Sequence, residues 1–133
     1  MKTIFSPDAP APNGHYSQAV VANGLVFLAA QLPLSADPDE PLSADLAAQT
    51  RQVVTNCRNI LDAAGSGLGH VVSATVYLTD IEGWPVVNSV LAEAFGSHRP
   101  ARAVAGVAAL HLGAMIAIQM TAALPTDGDR EAR

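Results

Sequence analysis

Apolar residues recur along this chain in two rhythms, and the changes of rhythm mark its elements. Gln18–Ala22 and Leu25–Ala30 are short, apolar, β-branched runs on either side of Asn23-Gly24. Asn-Gly between such runs predicts a hairpin, because a type I′ turn needs positive φ at both central residues. Pro33 ends the second run, and Ser35–Pro41 is an acidic loop punctuated by proline. From Leu46 the period lengthens. Leu46, Thr50, Val53, Cys57, Ile60, Leu61 and Ala64 recur at helical spacing and predict a long amphipathic helix. Ser43 is placed as its N-cap, Asp45 in its first turn and Gly65 just past its end. Val71–Leu78 predicts a strand and Asp80–Gly83 a turn. Pro85 suits the first turn of a second helix, which presents Val87, Val90, Leu91, Ala94 and Phe95 and stops at Gly96. Ala103–Ala109 and Ala114–Ala123 predict two final strands joined at Leu110–Gly113. A small edge strand fits at Thr3–Phe5.

The order is therefore β-β-α-β-α-β-β, an α+β chain. Amphipathic helices pack on a sheet through one face. Val71–Leu78, Ala103–Ala109 and Ala114–Ala123 are apolar on both alternating faces, so the second sheet face needs a cover that no further helix supplies. Other subunits would provide it. An antiparallel pairing of the last two strands would set Arg102 near Gln119–Thr121. Residues 1–133 read as one domain, with an extended Pro/Ala/Gly-rich arm over residues 1–12 and a flexible polar tail over 125–133.

Composition narrows the function. Half of the 133 residues are hydrophobic and 14% are charged, against a typical quarter. That also favours an oligomer. The net charge of −5 argues against a nucleic-acid partner, which calls for a basic patch. One cysteine, Cys57, permits no intramolecular disulfide and no cysteine metal site. Four scattered histidines form no ligand motif, so no metal is expected. No signal-peptide core and no membrane span are legible, so the expected location is the cytoplasm. Cys57, Trp84 and Phe95 read as packing residues.

Arg102 stands out. It enters an apolar run, cannot lose its charge, and is costly to bury unpaired. It needs an internal acid or an anionic ligand.

Several segments together resemble one family. They are Gly14-His15-Tyr16-Ser17-Gln18-Ala19, Asn23-Gly24-Leu25-Val26-Phe27, Gln31-Leu32-Pro33, Gln49-Thr50, Ala63-Ala64-Gly65, Val76-Tyr77-Leu78-Thr79-Asp80, Asn88, and Phe95-Gly96-Ser97-His98-Arg99-Pro100-Ala101-Arg102. In order and spacing, from about Asn13 to Met120, they resemble the RidA family (YjgF/YER057c/UK114). The resemblance implies a chorismate-mutase-like fold and a homotrimer, with three sheets forming a central β-barrel, helices outside and an intersubunit cleft at each junction. It implies hydrolysis of reactive 2-imino acids to 2-oxo acids and ammonia, with no cofactor. It makes Arg102 the clamp for the substrate carboxylate, places Tyr16 in the pocket wall and sets Asn88 at its border.

This chain also departs from the family pattern. The family's catalytic Glu on the last strand corresponds to Gln119, which can orient a water but cannot serve as a base. Its Ser-Gly pocket wall is Ala29-Ala30. Val104 takes the small pocket position two residues after the Arg. His15 and His111 replace prolines, and either imidazole would be a substitute base. Leu91 replaces a helix tyrosine. The expected catalytic residues are thus Arg102 and Gln119, and the expected substrate contacts are Tyr16, Ala29, Ala30, Asn88, Arg102 and Val104. Two alternatives to an imine deaminase stay open: a non-hydrolytic binder of small carboxylates, and a biosynthetic enzyme acting on a related imine or enamine.

Overall fold

The structure is a computed structural model and describes residues 1–126. Eight principal elements follow one another: β1 (Lys2–Ile4), β2 (Ala19–Ala22), β3 (Leu25–Leu28), α1 (Leu46–Ala63), β4 (Val71–Leu78), α2 (Trp84–Phe95), β5 (Ala101–Gly106) and β6 (Ile116–Ala123). The strands form one sheet in the order β1-β2-β3-β6-β4-β5. The α+β class and element order agree with the sequence reading.

The β2–β3 hairpin turns as expected, with Asn23 at φ 52° and Gly24 at φ 75°. Helix α1 starts two residues later than predicted. Its N-cap is Asp45, whose Oδ2 accepts from the Ala48 N–H at 2.9 Å. Ser43 instead accepts from the Asp45 N–H at 3.1 Å, shaping the turn before the helix. A carboxylate at the cap also meets the positive end of the helix dipole. Gly65, at φ 81°, ends α1. The Ser66 N–H returns to the Leu61 carbonyl and the Gly65 N–H to that of Asp62, the paired bonds of a Schellman stop.

The predicted final hairpin does not form. β4 lies between β5 and β6, running parallel to β5 and antiparallel to β6. Helix α2 supplies the crossover that a parallel pair requires. The chain leaving β5 then wraps the end of β4, where the Val107 N–H reaches the Leu78 carbonyl and the Thr79 N–H reaches Met115. Leu112 at φ 60° and Gly113 at φ 71° turn the chain back. β5 also begins two residues earlier than predicted, so Arg102 lies within it.

One face of the sheet packs under both helices. Val53, Cys57, Ile60 and Leu61 of α1 and Val87 and Leu91 of α2 meet Val26, Leu28, Val76, Leu78, Ile116, Ile118 and Met120 of the sheet. The opposite face carries Val20, Phe27, Thr75, Tyr77, Ala117, Gln119 and Thr121 by alternation. No element among the described residues covers it, and Phe27 is 42% exposed. This face is more polar than the sequence pattern suggested, because Thr75, Gln119 and Thr121 gather on it.

The arm is fastened rather than loose. Gln18, 1% exposed, accepts from the Ser6 N–H at 2.6 Å and donates to the Ser6 carbonyl at 3.1 Å and the Pro10 carbonyl at 3.0 Å. The arm's strand pairs Thr3 with Val20. Most of the predicted tail, 127–133, lies outside the described residues.

Candidate functional site

Arg102 pairs in register with Ala74. Ala74 is 2% exposed on the helix-covered face, so Arg102 shares that face at the open edge of the sheet. There it meets α2. Its Nη1 donates to Asn88 Oδ1 at 3.1 Å, and its Cζ lies 4.3 Å from the centre of the Trp84 ring. Trp84 and Asn88 are four residues apart on α2 and therefore neighbours on its surface. Among the described residues these are the guanidinium's side-chain partners, and neither is an acid. An amide oxygen and an aromatic face orient the cation without cancelling its charge. The other N–H groups of the fork remain available to an anion.

A cleft of about 590 Å³ opens beside it, lined by Ala74, Asn88, Leu91, Ala92, Phe95, Gly96, His98, Arg99, Pro100 and Arg102. Its walls combine apolar carbon with cations and amide groups, and its size suits a small metabolite. His98 lies in this wall. Its Nε2 is 2.7 Å from the Val71 carbonyl, which only accepts, so Nε2 carries the proton. Its ring meets that of Phe95 edge-on at 6.2 Å.

The other expected site residues lie elsewhere. Gln119 pairs with Thr75, one register step from Arg102's row, and so points from the opposite sheet face. Its Nε2 donates to the Leu28 carbonyl at 3.1 Å and the Met120 carbonyl at 2.9 Å. Ala29 follows β3, its N–H bonded to the Gln18 carbonyl at 2.9 Å, and Ala30 comes next and is exposed. Tyr16 is 55% exposed, and its hydroxyl accepts from the Asn13 N–H at 3.4 Å. These residues cluster around the β3 end of the sheet. β6 and β4 separate β3 from β5, a spacing of about 14 Å. Val104 pairs with Val76 and packs against the core.

Within one chain, then, Arg102 and Asn88 come together, while Tyr16, Ala29, Ala30 and Gln119 stand apart from them. His15 and His111 are exposed, and neither lines the Arg102 cleft. Sequence reasoning missed Trp84 as the platform, His98 and Arg99. The four-residue spacing of Trp84 and Asn88 was the available signal. Cys57 is fully buried, and burial pushes its thiol up to about 12, as befits a packing residue. Among the described residues no group of three or more His, Cys, Asp or Glu is placed to hold a metal ion, and no helix is long and apolar enough to cross a membrane.

The fold and site define a class: an α+β sheet with two covering helices and a cationic cleft at its open edge. Comparisons with known proteins agree with the fold. Residues 6–124 match the family described as Endoribonuclease L-PSP. A RutC family protein of Pyrococcus horikoshii is 40% identical over 91% of this chain and 96% of its own. Reactive Intermediate Deaminase A, chloroplastic, of Arabidopsis thaliana is 39% identical over 92% of this chain and 66% of its own. The crystal structure of E. coli TdcF with bound serine superposes with a TM-score of 0.88 at 30% identity, covering 92% of this chain and 98% of that one. The chain belongs to the RidA/YjgF family.

Proposed function

We propose that this protein hydrolyses small 2-imino acids to 2-oxo acids and ammonia, with Arg102 gripping the substrate carboxylate. The observation that carries this reading is the Arg102 guanidinium, oriented by Asn88 and Trp84 and left without an acidic partner among the described residues. A relative 39% identical over 92% of this chain is named a reactive intermediate deaminase, and a related structure holds serine, an amino acid with a carboxylate of the right kind.

The chemistry asks for little more. Water adds to the carbon of the C=N bond, and the resulting carbinolamine expels ammonia to leave the C=O of the 2-oxo acid. Two parallel N–H···O bonds from Arg102 would fix the carboxylate plane and hold the adjacent carbon for attack. Gln119 would position the water through its amide. Because Arg102 and Gln119 leave opposite faces of one sheet, a complete site joins the Arg102 edge of one subunit to the Tyr16, Ala29, Ala30 and Gln119 region of another. The uncovered sheet face, with Phe27 exposed, supports this assembly, and we propose a homotrimer with three such clefts.

The test generates imino acids in situ from an amino acid and follows ammonia and 2-oxo acid. Acceleration above the spontaneous rate, lost in Arg102→Ala, is the expected result, with light scattering giving three chains per particle. No acceleration by wild type across small imino acids would overturn the reading. Saturable 2-oxo acid binding without turnover would reassign the cleft to a carboxylate-binding role.

A further inference from the structure

We infer that the Arg102 cleft selects substrates with two anionic groups, namely small 2-imino dicarboxylates, with Arg99 holding the second carboxylate. The inference rests on the Arg102 clamp proposed above and adds the substrate class to it.

Arg99 and Arg102 line the same cleft, and no Asp or Glu is among its lining residues. Among the described residues neither guanidinium has a carboxylate partner. The chain as a whole carries a net charge of −5, so two uncompensated cations in one recess make a local field opposite in sign to the rest of the molecule. A monocarboxylate answers one of them. A dicarboxylate answers both.

The backbone supports this division of labour. Pro100 has a fixed φ and holds the residue before it extended. Arg99 and Arg102 therefore start about 10 Å apart along the chain, and both line the recess. Arg102 is pinned by Trp84 and Asn88, which suits the carboxylate that must be held in fixed relation to the reacting carbon. Arg99 is exposed like Arg102 but has no such tether among the described residues, which suits the distal group of substrates of differing length. Leu91, Phe95 and Ala74 provide apolar wall for the carbon chain between the two carboxylates.

The test is calorimetric titration of the full chain with 2-oxoglutarate and with 2-oxobutyrate, stable product analogues with two and one carboxylates. The expected result is 2-oxoglutarate binding tighter by about tenfold at low salt, with the ratio shrinking as salt is added. Arg99→Ala should bring the ratio to about one, and Arg99→Lys should retain part of it. Equal affinities in wild type would overturn the inference and leave the clamp standing. A preference that survives Arg99→Ala would overturn it as well, since the second anion would then be held elsewhere. If neither compound binds, or if Arg102→Ala binds 2-oxobutyrate as wild type does, both the inference and the clamp reading fail.

Discussion

The guanidinium of Arg102 lies on the ring of Trp84, 4.3 Å from its centre, one helical turn before the Asn88 side chain that accepts its Nη1 hydrogen bond. The cation is thereby held at the sheet edge without being neutralised. A cation over an aromatic face at an exposed site gains about 0.5–1 kcal/mol. Replacing Trp84 with Leu keeps an apolar side chain against the core and removes the ring's negative face. Trp84→Leu should weaken 2-oxo acid binding by roughly two- to fivefold while the fold persists by circular dichroism. Binding unchanged by this substitution would show that the stack does not orient the clamp. The double variant with Asn88→Ala should lose less than the sum of the two single losses, because both residues act on one guanidinium.

Gln119 offers a second test, in which stability and activity move in opposite directions. Its amide donates to the Leu28 and Met120 carbonyls. A carboxylate cannot donate, and it would set a negative charge against two carbonyl oxygens. Gln119→Glu should therefore cost about 1–3 kcal/mol at neutral pH in denaturant unfolding, a loss relieved at acid pH where the carboxyl can donate again. The same change supplies a base beside the proposed water, so imine hydrolysis should accelerate. A destabilised variant with an unaltered rate would mean that water is activated by another group.

The arm provides a third. Gln18 holds Ser6 and Pro10 through three hydrogen bonds in a buried position. Gln18→Ala leaves the Ser6 N–H and carbonyl without their partner, which should cost about 1–3 kcal/mol. Hydrogen exchange should show faster exchange at Ser6 and along β1, with α1 less affected. Uniform loss of protection across the chain would instead make the arm part of the cooperative core.

Local chemistry made much of this fold legible. Asn23-Gly24 allowed one turn type, and the structure has positive φ at both residues. Gly65 and Gly96 stop their helices with positive φ. What failed was pairing at a distance. Apolar strands joined by a loop look like a hairpin, and nothing local in Ala103–Ala123 says that β4 will separate its two halves. The consequence fell on the site, because β4 puts Arg102 and Gln119 two strands apart and on opposite faces. Arg102 was legible as a permanent charge in an apolar run, but the burial that reading assumed does not occur within the chain, because β5 is the edge strand and leaves Arg102 exposed. Trp84 was read only as core, although its spacing to Asn88 put both on the α2 surface that Arg102 meets. Gln18 was visible only as a motif position, since its partners lie far along the chain.

Cys57 makes the last prediction, on the alkaline side. Its side chain is fully buried, and desolvation raises its thiol from an ordinary 9.0 to about 12. Between those values the unfolded chain has released the proton and the folded chain has kept it. The unfolded state then binds fewer protons, so stability falls as pH rises, by about 1.4 kcal/mol per pH unit from this group alone. Below pH 9 the thiol is protonated in both states and contributes no slope. The comparison that isolates the thiol is with Cys57→Ala. That variant loses packing and should be less stable at neutral pH, but its stability should decline less steeply above pH 9. Urea unfolding of both proteins across pH 8 to about 11 measures the two slopes. Parallel curves would show that the folded thiol ionises as readily as the unfolded one. A steeper curve for wild type, with slow reaction of native Cys57 toward thiol reagents at pH 8, is the expected outcome.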